Sequence, residues 1–292
     1  MNTLVPRGWS LVTGSTTESG IGYAIARQLA ARGCNIMLAG SGNKVRQVGH
    51  DLADKLEKDF GIKSICLFEN LAHDGTAQRL IGQAEKVSLD SGLPITGLVH
   101  AAGFALKGSF LDAEESENRD MMLVHVNCPA QLMYHFGRKM REQGYGFILN
   151  VGSLLAITPA PMNALYGATK AFERNLSEAM WWEEEGQNEV RFCVAMFGAM
   201  WSEMMHDYET RLFRFLPFLV MDTDTAAKIA VDGMFAGRRV VVPGAWNKTL
   251  ACLEPLPRPL TAALARYLME HIKPGDAPIL EALERFVKRF RR

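Results

Sequence analysis

Short apolar runs alternate with segments of helical periodicity along most of this chain, and that alternation constrains its fold more than any other feature. Trp9-Ser10-Leu11-Val12 is a first run, ending in Thr13-Gly14. Ile21, Ile25, Ala26, Leu29 and Ala30 then recur at helical spacing. Further strands are predicted at 35–39, 64–68, 95–100, 147–151, 191–196 and 239–242, with helices at 44–60, 74–90, 117–142, 166–185 and 223–236. Runs such as Ile36-Met37-Leu38-Ala39 are apolar at every position, as a strand covered on both faces requires. The pattern predicts an α/β fold: a doubly wound, parallel seven-stranded sheet whose strand C-terminal ends share one ligand-binding edge. Residues 1–245 form the expected catalytic unit, and residues 246–292 a helical C-terminal extension, broken first by Pro255, Pro257 and Pro259.

Composition excludes several classes. The 292 residues hold 32 basic and 32 acidic side chains, so no bulk charge favours nucleic acid. Five scattered cysteines form no Cys-x-x-Cys pair and mostly sit in apolar stretches, which predicts buried thiols and no metal site. With no apolar targeting segment and no run of membrane-spanning length, a reducing, cytoplasmic location is expected. Leu4-Val5-Pro6-Arg7-Gly8 resembles a protease-recognition linker and is given no function.

Two segments carry chemistry. Thr13-Gly14-Ser15-Thr16-Thr17-Glu18-Ser19-Gly20-Ile21-Gly22 joins the first strand to the first helix. Glycines there allow a tight turn and let backbone N–H groups approach a pyrophosphate at a helix N-terminus. Ser153 precedes Tyr166 by thirteen residues, and Lys170 follows four later. On a helix, positions i and i+4 share a face, so the phenol and the ammonium converge. An adjacent ammonium favours phenolate and suits a tyrosine to proton transfer, while the serine hydroxyl can hold a carbonyl beside it.

Together these segments resemble the short-chain dehydrogenase/reductase family, with Rossmann-type topology, over about residues 8–245. The resemblance implies a catalytic tetrad of Asn127, Ser153, Tyr166 and Lys170. It implies a cofactor site that includes Gly14, Ser15, Ser19, Gly20, Ile21, Gly22, Ser41, Asn70, Leu71, Ala101, Ala102, Gly103, Tyr166, Lys170, Gly198 and Ser202. The chain departs from the family pattern in its cofactor-positioning segments. Two extra residues separate Gly14 from Gly20, His100-Ala101-Ala102-Gly103 replaces Asn-Asn-Ala-Gly, and Phe197-Gly198 replaces Pro-Gly. Asn70-Leu71 stands where Asp-Leu is usual.

The implied reaction is hydride transfer between NAD(P) and a ketone/alcohol pair. Tyr166 is the acid/base, Lys170 the ribose ligand, Ser153 the carbonyl ligand, and Asn127 the support of a water relay. No acid ends the second strand; Ser41 with Lys44 or Arg46 suits a 2′-phosphate, so NADP is expected ahead of NAD. Leu154, Leu155, Pro159 and Met162, with the Met- and Phe-rich segment after Gly198, predict an apolar or aromatic substrate: steroid, fatty acyl, polyketide or aromatic ketone. Epimerisation through a transient ketone and a dinucleotide-binding regulatory role are the alternative functions. A homodimer is implied through the helices carrying Asn127 and Tyr166, with Trp181-Trp182 as contributors or as intrachain packing. Residues 276–292 form a basic amphipathic pattern, suited to an anionic membrane surface or to docking on protein.

Overall fold

The structure is a computed structural model, and it describes residues 8–41, 46–106, 108–186, 189–200 and 220–271. The seven strands are β1 (Trp9–Thr13), β2 (Asn35–Gly40), β3 (Ser64–Phe68), β4 (Ile95–His100), β5 (Tyr145–Ser153), β6 (Glu189–Phe197) and β7 (Val240–Val241). They form one sheet in the order β3-β2-β1-β4-β5-β6-β7, and every pairing is parallel. The order reverses between β1 and β4, which opens a crevice at their C-terminal ends.

Helices cover both faces, as strands buried on both sides demand. On one face lie α1 (Ile21–Ala30), α2 (Arg46–Phe60) and α7 (Thr223–Phe235), packing Ile25, Leu29, Leu56, Ala230 and Met234 over Val12, Leu38 and Leu149. On the other, α3 (Thr76–Ser91) and α5 (Cys128–Gln143) lay Leu80, Leu132, Phe136 and Met140 over Leu11, Leu98 and Ile148. The long helix α6 (Ala164–Glu184) joins this layer through Leu176 and Met180. Each fully buried Leu or Phe contributes about 1.5–3 kcal/mol of apolar transfer, so this double layer is the main source of stability. Cys34, Cys66, Cys128 and Cys193 are buried free thiols, as expected, and Cys252 is exposed.

One expected element differs. The single helix predicted at 117–142 is α4 (Glu115–Met122), a π-helical turn at Leu123–Asn127, and then α5. Pro129 supplies the cause: it has no N–H to offer the His125 carbonyl, and its ring would crowd that oxygen. The helix widens instead, and the Cys128 N–H reaches back to the Leu123 carbonyl.

Residues 245–271 supply α8 (Ala245–Ala251) and α9 (Arg258–His271). Leu250 and Ala251 pack against Leu154, Val194 and Met196, Arg174 pairs with Glu254, and Thr158 donates to Thr261 at 2.6 Å. The tail predicted at 276–292 lies outside the described residues. Trp181 packs within the chain, its indole N–H on the Gly237 carbonyl and the Arg239 guanidinium over its ring, whereas Trp182 is exposed. Among the described residues, no helix is long and apolar enough to cross a membrane.

Candidate active site at the C-terminal edge of the sheet

The Gly-rich loop is built by close backbone contact. Gly14 has φ of +64°, and a Cβ there would sit 2.6 Å from the Ala102 backbone. A Cβ on Gly22 would collide with the Gly14 carbonyl oxygen, so the first turn of α1 lies directly on the loop. Helix α1 starts after Gly20 with no side-chain cap, leaving its first N–H groups directed at the crevice. Ile21 is half-buried against the core below, and Ser19 is exposed on the rim.

Ser15 does a different job from the one expected. It is fully buried; its hydroxyl donates to the Val12 carbonyl at 2.6 Å and accepts the Ala39 N–H at 3.1 Å. The side chain therefore ties the widened loop to the ends of β1 and β2 and is turned away from the crevice. Thr16 fills the space over Gly40, and Glu18 pairs with Lys55 on α2. Thr16 and Glu18 thus anchor the widened loop to β2 and α2.

Across the crevice, Thr13 Oγ1 accepts the N–H groups of both Ala101 and Ala102 at 3.2 Å and meets His100 Nδ1 at 3.1 Å. Burial brings the His100 value down to about 3, so the ring that shares this hydrogen bond with the threonine hydroxyl is neutral. Gly103 lies against the His125 ring. Leu71 is buried, and Asn70 Oδ1 accepts the Ala72 N–H at 3.1 Å, closing its own turn. Ser41 is exposed after β2, and the Arg46 guanidinium lies 5.0 Å from the Phe68 ring centroid. Gly198 follows β6 tightly, a Cβ there being blocked by the Asn247 side chain. Ser202, Lys44 and the Met- and Phe-rich segment 201–219 lie outside the described residues. The chain leaves this edge at Met200 and returns beside it, the Met221 N–H bonding the Ala199 carbonyl at 3.0 Å.

Ser153 ends β5, and its Oγ accepts the Leu155 N–H at 3.2 Å, starting a 3₁₀ turn at Leu154–Ala156. That turn packs closely on α6 where residue 167 is glycine: a Cβ there would lie 3.1 Å from the Leu155 carbonyl oxygen and 2.9 Å from the Ala160 Cβ. The contact brings the end of β5 beside the first turns of α6, where Tyr166 is half-buried and Lys170 is buried. The Lys170 ammonium sits 5.9 Å from the Tyr166 ring centroid, so these two expected partners do converge.

Asn127 does not join them. Its side chain is exposed and bonds Gln131, one turn along the same outer face. The π-turn presents His125 inward instead, fully buried, with its ring centroid 5.7 Å from that of Tyr166. His125 Nε2 accepts the Phe104 N–H at 3.1 Å, which leaves the neutral ring's proton on Nδ1. Nδ1 faces Thr169 Oγ1 at 3.4 Å and Glu173 Oε1 at 4.0 Å. Burial first, then the Lys170 charge, holds the His125 value well below the ordinary imidazole range.

Residues 9–212 match the family model described as short chain dehydrogenase. The chain belongs to the short chain dehydrogenase family. Among curated members, it is 27% identical over 178 residues to a 7beta-hydroxysteroid dehydrogenase of Collinsella aerofaciens, covering 61% of this chain and 64% of that protein. It is 32% identical over 179 residues to a very-long-chain 3-oxoacyl-CoA reductase of Bos taurus, covering 59% of this chain and 53% of the relative. The chain therefore matches less than two thirds of the length of either relative. Among solved structures, one from a study of 7beta-hydroxysteroid dehydrogenase stereoselectivity superposes with a TM-score of 0.79 at 21% identity, covering 88% of this chain and 96% of that one. A short-chain dehydrogenase from Sphingobium yanoikuyae in complex with NADPH gives 0.69 at 22% identity, covering 94% and 98%. At these identities the superpositions establish the shared fold.

Sequence reasoning missed two side chains of this short chain dehydrogenase site, His125 and Glu173. Glu173 is fully buried one turn beyond Lys170, with Oε2 2.8 Å and Oε1 3.1 Å from the Lys170 ammonium. The same ammonium donates to the Val151 carbonyl at 2.9 Å. Burial pushes the Glu173 carboxyl up to about 7, with Lys170 acting against that rise.

Proposed function

We propose that this chain interconverts a bulky, apolar ketone and its secondary alcohol using NADP, with NAD the weaker cofactor. The observation that carries this reading is the convergence of Tyr166 and Lys170 on α6 beside the Ser153 end of β5. The Gly14–Gly22 loop lies on the same sheet edge; its tight backbone packing and the uncapped start of α1 after Gly20 suit a pyrophosphate. Gly14, Gly20, Ile21 and Gly22 would hold the diphosphate through backbone groups, and Ser41 the adenosine ribose or its phosphate. When bound, the nicotinamide supplies or accepts the hydride.

The chain's own groups do the rest. Ser153 Oγ orients the substrate oxygen, and the Tyr166 hydroxyl gives its proton to that oxygen as negative charge develops there. In the reverse direction the tyrosine takes the proton back. Lys170 supplies fixed positive charge in a dry setting, where it acts more strongly than in water. The substrate class is supported by the apolar 3₁₀ turn after Ser153 and by half-exposed Met162, and by relatives named for hydroxysteroids and long 3-oxoacyl chains. Exposed Tyr134 on α5 and Trp182 on α6 support a homodimer through these helices. The contacts of α8 and α9 with residues 154–174 support an extension docked beside the substrate wall.

The test is NADPH oxidation across a panel of steroid, 3-oxoacyl and small polar ketones, for the native chain and Tyr166→Phe. Turnover should be confined to the bulky ketones and lost in the variant, with NADPH affinity largely kept. A Tyr166→Phe protein that turns over normally would refute the assignment.

A further inference from the structure

Lys170, Glu173 and Ser177 recur on the inner face of α6, where a helix packed on a sheet ordinarily presents apolar side chains. All three are nearly or fully buried. Ser177 Oγ donates to the Glu173 backbone carbonyl at 2.6 Å and receives the Asn150 amide at 2.7 Å, so the cluster reaches β5. The Lys170 ammonium has three N–H groups. Its three acceptors are the Val151 carbonyl and the two Glu173 oxygens, at 2.9, 3.1 and 2.8 Å.

Burying such a pair is seldom worth more for stability than packing apolar groups of the same volume. Its value therefore has to be sought in the charge it sets. Around Glu173 the titratable groups are Lys170 on its own helix, His125 on the π-turn and, beyond it, His100 on β4. Burial keeps both imidazoles neutral, so Lys170 is the one cation of this cluster among the described residues.

We propose that Glu173 is a positioning residue acting through Lys170: it clamps the ammonium against the Val151 carbonyl and offsets its charge. A lysine facing the phenol alone would promote proton loss from it. Above the pH at which Glu173 loses its proton, the carboxylate behind the ammonium weakens that pull, and the proton donor needed for ketone reduction stays available to higher pH. The cluster thereby biases the site toward reduction. His125 completes the arrangement by turning its Nδ1–H toward Thr169 and the carboxylate. The inference rests on the reading of Tyr166 as the proton-transfer group.

The test is the pH profile of hydroxysteroid oxidation with NADP⁺, followed by NADPH absorbance, for the native chain, E173Q, E173D and Tyr166→Phe. Removing the charge in E173Q should move the midpoint of the rising limb down by about one pH unit. E173D keeps the charge but withdraws it by one methylene, and should move the midpoint the same way by less. A purely structural role would lower turnover and leave the midpoint where it was. An unmoved midpoint in folded E173Q, or in E173D should E173Q fail to fold, overturns the proposal. If Tyr166→Phe abolishes turnover while the midpoint stays fixed, the inference fails and the function stands. If Tyr166→Phe remains active, both fail.

Discussion

Thr13→Val tests whether one hydroxyl holds the crevice edge of the sheet together. Thr13 is fully buried, and Val reproduces its shape while removing only the oxygen. Three partners lose their contact: the N–H groups of Ala101 and Ala102, and the Nδ1 of buried His100. The two N–H groups are half-buried and water can partly replace the hydroxyl, so each loss costs roughly 1 kcal/mol. His100 is inaccessible, and its stranded nitrogen costs about 1–2 kcal/mol. The added methyl returns about 0.8 kcal/mol. The sum is a destabilisation of roughly 2–3 kcal/mol. Thr13→Ser keeps the hydroxyl, loses one methyl, and should cost only about 1 kcal/mol. Urea unfolding of the three proteins gives the comparison, and NADPH affinity should fall in the Val variant because the loop facing Gly14 is released. If the Val protein proved as stable as the Ser protein, the hydroxyl would not be the link between β1 and β4.

Two further substitutions probe the site. Gly22→Ala drives a methyl into the Gly14 carbonyl and to 3.2 Å from the Ala101 Cβ; it should cost about 1–3 kcal/mol in thermal or urea unfolding and weaken NADPH binding. Asn127→Ala removes an exposed side chain and should change turnover by no more than about twofold, the scale of a neutral surface substitution. His125→Ala should cut turnover far more. Steady-state kinetics on the pair decides between the two residues, and a large loss in Asn127→Ala would reinstate the asparagine.

The sheet was legible because its signal is redundant. Each of seven strands repeats one pattern, and an error of two residues in any boundary leaves the topology unchanged. Strand β5 runs from Tyr145 to Ser153 rather than 147–151, and β7 is only Val240–Val241, yet the crevice stays where the alternation puts it. The Tyr166–Lys170 relation was legible for a similar reason: one uninterrupted helix fixes it, and only the geometry of a regular turn is needed. Ser15 shows where that logic stops. Its position in the glycine loop was read correctly, but a hydroxyl's direction depends on which carbonyl or N–H lies nearest, and that is settled by β2, twenty-four residues away.

His125 and Asn127 fall within a helical pattern that extends from 117 to 142, and counting by 3.6 residues assumes that every turn is α-helical. Pro129 breaks that assumption four residues after His125, and one widened turn offsets the residues on either side of it by about 100° around the helix. The proline was visible in the sequence, so the signal existed; using it required asking which carbonyl it would leave without a donor. Glu173 is harder. A glutamate three residues after a lysine on a helix ordinarily reads as a solvated ion pair. The pair is identical in spacing whether it faces water or the core, and only the sheet beneath α6 decides which. Buried on the inner face of α6, the same two residues stop being a surface pair worth a few tenths of a kcal/mol, and in the proposed reaction they set the charge where the Tyr166 proton moves. Their chemistry is thus a property of the assembled site, not of the helix that carries them.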